Sequence, residues 1–304
     1  MRSTPAQAVA AALDAPAPVS LLSDYKELVK PGITTFVVVM AASGYLLAVP
    51  GPIDWIALLG LMLGTGLTGG GAGALNHVIE RRHDARMART AQRPMASGRL
   101  AVAQAVVYAL GCVAAGAAAL ATTTNALTTG LALTTVLLYV AVYTPLKRTT
   151  VHNTLVGAVP GALPALGGAA AATGQLGAVG WALFAILYLW QLPHFYALAW
   201  MYREDYRDGG FRMLPSAAGG ESQIAALALG ATLLLLVVGV LPAAVGQAGL
   251  LFMVGMAAIG TAFTIPAFSF FSEPTDARAR RLLLASIAYV PAFFVLVVLD
   301  FLLR

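Results

Sequence analysis

Apolar residues fall in nine runs, each long enough to cross a bilayer, which takes about 20 residues in helical form. They cover residues 33–49, 55–79, 101–121, 126–146, 155–173, 178–202, 224–245, 250–271 and 282–303. The links between them alternate in character. Residues 51–54, 122–125, 174–177 and 246–249 make short turns whose only charge is Asp54, whereas 80–100, 147–153, 203–223 and 272–281 are longer and charged. This pattern predicts an all-α membrane protein of nine transmembrane helices.

The charge distribution adds an orientation. Of the 18 Lys and Arg residues, only Arg304 falls outside the first 30 residues and the four charged links. The positive-inside rule puts that side in the cytoplasm, with the N-terminus inside and the C-terminus outside, as an odd number of spans requires. The expected location is the inner (plasma) membrane, multi-pass, with the charged loops facing the cytoplasm. Composition agrees: 59% of the 304 residues are hydrophobic, 10% are charged, and the mean hydropathy is +0.81. No soluble domain has that balance. The net charge of +5 does not point to nucleic acid, because the basic residues sit in short links with no aromatic-studded basic face. The single cysteine, Cys112, lies in an apolar run and excludes an internal disulfide or a cysteine-based metal cluster. Residues 1–25, rich in Ala and Pro, read as a disordered cytosolic tail without a secretory signal core, and 26–304 as one membrane domain. Asp24, Lys26, Glu27 and Lys30 suggest an interfacial helix ending at Pro31-Gly32.

Most charge gathers in NHVIERRHDARMART, residues 76–90. Asn76, Glu80 and Asp84 recur every four residues, so on a helix they share one face over about 12 Å. Two carboxylates and an amide oxygen suit a hard cation such as Mg²⁺. Arg81, Arg82, Arg86, Arg89 and Arg93 interleave with them and suit phosphate oxygens. The stripe thus reads as a metal–diphosphate site or, more plainly, as a solvated, salt-bridged loop. The stretch YTPLKRTTVHN from Tyr143 adds Lys147 and Arg148, which are also what a positive-inside anchor needs. MYREDYRDGGFRMLP, from Met201, mixes Arg203, Arg207 and Arg212 with Glu204, Asp205 and Asp208, and the spacing leaves open which carboxylates act together. The link with Glu273, Asp276 and Arg278 reads as an ordinary surface loop. His194, in WQLPHF, could ligate a haem iron, bind a substrate carboxylate, or satisfy a backbone loosened by Pro193. Pro160 and Pro164 in the fifth run suggest a kink or break that faces a cavity.

These motifs carry a resemblance. Asn76-x₃-Glu80-x₃-Asp84 is similar to the N-x₃-D-x₃-D signature of UbiA-type intramembrane prenyltransferases. Met87-x-Arg89-Thr90, Arg93-Pro94, YTPLKR, WQLPHF and REDYRDGGFRMLP, in that order, resemble the haem-modifying branch of that family, the protoheme IX farnesyltransferases. The resemblance implies a nine-helix bundle around a central cavity capped by the two acidic loops. It implies farnesyl diphosphate and haem B as substrates, haem O and diphosphate as products, and Mg²⁺ as cofactor. Glu80 stands where the family pattern has Asp, and remains an oxygen ligand. The second family motif, two aspartates four apart, is absent as such, with Asp205 the best match and Glu204 next. On this basis Glu80 and Asp84 hold one Mg²⁺, with Asn76 as a third oxygen or an orienting hydrogen bond. Asp205, or Glu204, holds a second. Arg89, Lys147 and Arg148 contact diphosphate, and Tyr143, His194 and Arg203 complete the substrate contacts. Hand-off to a haem A synthase or terminal-oxidase assembly is implied in the same way. Other readings are a UbiA-type enzyme with a quinone-ring precursor or other acceptor, and a polytopic transporter with a cytosolic cation site.

Overall fold

The computed structural model describes residues 20–303, and among them there is no strand. The tail assigned to residues 1–25 therefore lies mostly outside the described residues. Its described end is helical: α1, Leu21–Leu28, is capped by Ser20, whose hydroxyl accepts from the Ser23 amide at 3.2 Å. A helix is present where one was expected, but it ends at Leu28, and Pro31 opens α2, Pro31–Ala48, rather than ending the first helix.

Nine helices among the described residues are long and apolar enough to cross a membrane. After α2 come α3, Trp55–Asp84; α4, Val102–Thr123; and α5, Ala126–Leu137, which runs on through a π-helical turn, Leu138–Tyr143, to Thr144–Leu146. Next are α6, Asn153–Thr173, and α7, Ala178–Met201. The short α8, Arg203–Asp208, crosses nothing. Then follow α9, Gly220–Val238, extended by Leu241–Ala244; α10, Leu250–Ser272; and α11, Asp276–Leu303. The starts follow from local chemistry: Asp54 caps α3 by accepting from the Ile56 and Ala57 amides at 2.9 and 3.1 Å, and Asn125 caps α5 through the Thr128 amide at 2.9 Å.

Two boundaries differ most from those read off hydropathy. Helix α3 continues five residues past the apolar run ending at 79, and α11 begins at Asp276 rather than 282. Apolar content stops where the bilayer core stops, but helical hydrogen bonding does not. The acidic stripe is therefore the last turns of a spanning helix and no loop at all. The prolines of α6 do not break it either: Pro160 and Pro164 sit inside a continuous helix and line the cavity, as expected of their position.

Helix α3 packs on α4, α2 on α3 and α6, α6 on α7, α9 on α7 and α10, and α10 on α11. Helix α11 returns to α7 and α2 and closes the ring. Six of the nine, α2, α3, α5, α6, α7 and α11, line one cavity of ≈ 900 Å³, while α4, α9 and α10 stand outside them. Only 6% of an 18-residue stretch of the Ala126–Leu146 span is buried, although the span contributes a full face to the cavity. The α2–α6 crossing depends on having no side chain at two points. A Cβ on Gly44 would run into the Ala165 carbonyl oxygen, and one on Gly168 into that of Ala41. Gly168→Val is expected to destabilise the bundle by roughly 1–3 kcal/mol, read as a lower thermal unfolding midpoint in detergent.

Candidate active site

The stripe occupies the end of α3 and is buried: Asn76, Glu80 and Asp84 are 0, 4 and 1% exposed. That rules out the solvated-loop reading. Carboxylates at a helix C-terminus face the negative end of the helix dipole, so nearby positive charge must hold them ionised. It comes from four side chains on three stretches of the chain. Lys147 Nζ pairs with Glu80 Oε1 at 2.9 Å, and Arg93 Nη1 with Asp84 Oδ2 at 3.0 Å. Lys30 donates from Nζ to Asn76 Oδ1, and Arg89 stacks its guanidinium on the Tyr202 ring at 4.7 Å. Asn76 is spent on structure at both ends, since its Nδ2 donates to Thr144 Oγ1 at 2.9 Å.

Lys30, Arg89, Arg93 and Lys147 all line the cavity, against only Glu80 and Asp84. The lining thus carries a formal surplus of two positive charges, which asks for an anion. Burial by itself would lower the pKa of Lys147. The Glu80 carboxylate and then the Tyr143 and Tyr139 rings outweigh this and hold it above the usual lysine value. The ammonium is then present at every pH below the ordinary lysine range, and the pairing energy is lost only as pH rises through the shifted value.

The π-helical turn in α5 shapes the floor of this region. Its wider turn puts Tyr139 and Tyr143 side by side on the cavity wall, with ring centroids 5.6 Å apart, and the Lys147 ammonium lies 4.7 Å from the Tyr143 ring centre. Above it the charged links tie to one another mainly through backbone oxygens. His83 Nδ1 sits 2.7 Å from the Gly209 carbonyl, the Arg212 amide donates to the Lys147 carbonyl at 2.7 Å, and Asn153 Nδ2 donates to the Arg212 carbonyl at 2.7 Å. Three separate links thus form one roof.

Of the residues singled out from sequence, Glu80, Asp84, Arg89, Lys147, Tyr143 and His194 meet at the cavity, and Asn76 supports them from one side. Besides Asn76, four do not line it. Arg148 lies against His83 Nε2 at 3.4 Å, and Arg203 is paired with Asp276 at 2.9 Å, which also gives the link after α10 a structural task. Glu204 is exposed and Asp205 half-buried on α8. Sequence reasoning missed Lys30 as a site residue. Its signal is a lysine directly before the Pro that opens a spanning helix. It adopts a left-handed backbone, φ 50°, unique among non-glycine described residues. Tyr206 and Phe211, from the second roof segment, also line the cavity.

The donor set suits a hard divalent cation. Both acidic side chains offer carboxylate oxygens, and Asp84 Oδ1 is buried with no hydrogen-bond partner among the described residues. No three His, Cys, Asp or Glu side chains cluster there, so the remaining oxygens would have to come from a bound phosphate and water, which Mg²⁺ accepts. Away from the charges, α7 and α11 contribute no charged side chain to the cavity. An ionic end and an apolar end share one space, as an amphiphile with an anionic head requires.

The family model of the UbiA prenyltransferase family matches residues 37–297. A protoheme IX farnesyltransferase of Salinibacter ruber is 48% identical over 285 residues, 93% of this chain and 100% of that protein. Among solved structures, a digeranylgeranylglyceryl phosphate synthase superposes with TM-score 0.76 at 16% identity, covering 93% of this chain and 99% of that one. A UbiA homologue from Archaeoglobus fulgidus, solved with GPP and Mg²⁺, superposes with TM-score 0.68 at 16% identity, covering 91% and 100%.

Proposed function

Since this chain belongs to the UbiA prenyltransferase family, we propose that it transfers the farnesyl group of farnesyl diphosphate to a vinyl group of haem B, with hydration, giving haem O and diphosphate. The observation that carries the transferase chemistry is the cavity's division into an end with surplus positive charge around two buried carboxylates and an uncharged end on α7 and α11. The near-full-length likeness to a protoheme IX farnesyltransferase supports the acceptor. A transporter is no longer a competing reading for a member of this family.

Glu80 and Asp84 would hold Mg²⁺, which when bound neutralises charge on the leaving diphosphate. Lys30, Arg89, Arg93 and Lys147 bind and orient the diphosphate, and Arg93 and Lys147 do so while paired with the two acids. As the C1–O bond breaks, its electrons leave with diphosphate and the allylic cation is left among aromatic and aliphatic walls that keep water scarce. The vinyl π electrons attack C1 of that cation. The new cation beside the porphyrin ring takes a water oxygen and loses one proton. Arg148 and Arg203 act through the roof. A second ion on Asp205 or Glu204 would need α8 to shift toward the cavity, since neither side chain lines it. We assign the roof to the cytoplasmic face of the inner membrane on the distribution of Lys and Arg, with haem A synthase or terminal-oxidase assembly as the consumer of the product.

The test is a membrane assay with haem B, farnesyl diphosphate and Mg²⁺, read by mass spectrometry of extracted haems. The expected product is farnesylated, hydrated haem, with its yield falling at least about 100-fold on EDTA treatment and returning with added Mg²⁺. Farnesylation of a quinone-ring precursor instead, with haem untouched, would move the acceptor and keep the diphosphate site.

A further inference from the structure

One hydrogen bond fixes which nitrogen of His194 carries the proton. Ser286 Oγ has a single hydrogen and donates it to the Leu283 carbonyl at 2.6 Å within α11. The same oxygen lies 2.8 Å from His194 Nδ1. With its proton committed, Ser286 can only accept there, so Nδ1 holds the imidazole hydrogen and Nε2 keeps a bare lone pair. That nitrogen has no donor among the described residues, yet His194 lines the cavity beside Trp190, Phe195, Pro291 and Phe294. The ring is held in place as well. It stacks on Trp190 with centroids 5.3 Å apart, and Trp190 stacks on Phe36 at 4.9 Å. Trp190 Nε1 donates to the Ser286 carbonyl at 2.9 Å, so one serine anchors both rings.

A fixed, neutral imidazole with one free lone pair in an aromatic pocket is how proteins present histidine to a metal, with the other ring N–H tied to an oxygen. The lone pair is on the uncharged side of the cavity, where α7 and α11 offer diphosphate no cation. Nε2 is not sealed within protein but opens to the cavity, where a ligand can reach it. We propose that His194 Nε2 is the axial ligand of the acceptor's porphyrin iron, and that Ser286 is the positioning residue that aims it. This rests on haem being the acceptor. Ligation at iron leaves the vinyl groups free at the ring edge, and so sets which edge faces the diphosphate end.

The test uses the full chain in nanodiscs with ferrous haem B and no farnesyl diphosphate, read by resonance Raman. An iron–histidine stretching band is expected. It is lost in His194→Gln, whose amide keeps a group able to bond Ser286, and lost in His194→Ala, where added imidazole restores it. Ser286→Ala is expected to keep the band at a shifted frequency and to bind haem about 10–100-fold more weakly. A band unchanged in both His194 variants, or haem bound by wild type without such a band, overturns the assignment while turnover with haem still upholds the acceptor. The absence of both haem binding and haem turnover in wild type overturns the ligand and the acceptor together.

Discussion

Asp84→Ala is expected to abolish turnover, with a loss on the order of 10³-fold or more, about 4 kcal/mol, while the protein stays folded in the membrane. The two oxygens of Asp84 have different employment. Oδ2 holds Arg93 at 3.0 Å, and Oδ1 is buried with no protein partner among the described residues. An oxygen in that state costs folding energy and is kept for a ligand. On the proposed assignment, removing the carboxylate takes away a metal ligand and the anchor of the guanidinium that would bind diphosphate at once. It takes little from stability, because the Arg93 side chain is 23% exposed and can recover water, and because a desolvated, half-satisfied acid disappears. Membrane yield and unfolding midpoint should match wild type, with product formation gone. Turnover near wild type in a well-expressed Asp84→Ala protein would sink the metal assignment.

Lys147→Met comes second, with an expected fall in kcat/KM on the order of 10²–10³-fold and weaker inhibition by inorganic diphosphate. Here the change also acts on the fold. Glu80 loses its ammonium partner while staying buried, at a cost of up to about 3 kcal/mol. A combined variant separates the roles. If Lys147 serves only to neutralise Glu80, then Glu80→Gln with Lys147→Met performs no worse than Glu80→Gln alone. If the ammonium also binds diphosphate, the double variant falls below Glu80→Gln alone, and Lys147→Arg recovers part of the diphosphate affinity. The latter pattern is expected, because Lys147 reaches the cavity surface between the Tyr143 and Phe211 rings.

The spans and the stripe were readable because both depend on neighbours along one helix. Nine apolar runs match nine helices, and a four-residue spacing put Glu80 and Asp84 on one face. What faces that stripe depends on residues far away in the chain. Lys30 is 46 residues from Asn76, and Lys147 is 67 from Glu80. No periodicity records such a meeting. The π-helical turn was hidden for another reason: LYVAVY is as apolar as the helix around it, and hydropathy does not respond to how many residues make a turn. The REDY segment shows the opposite error. Its mixed charges look like those of the first loop, but Arg203 spends its charge on Asp276 and Glu204 faces outward. Composition could not distinguish an acid aimed at a cavity from one on a roof.

Helix α5 is barely buried and still forms a wall of the cavity, so along that side a single helix stands between the reaction space and the acyl chains of the bilayer. Both proposed substrates are amphiphiles whose apolar parts partition into those chains while their charged groups stay at the interface. The concentration that governs how often the cavity is visited is then an amount per lipid rather than per litre. Diluting the membrane with more lipid slows encounter even when the bulk solution holds as much substrate as before, and a Michaelis constant for this protein has its natural unit in mole fraction.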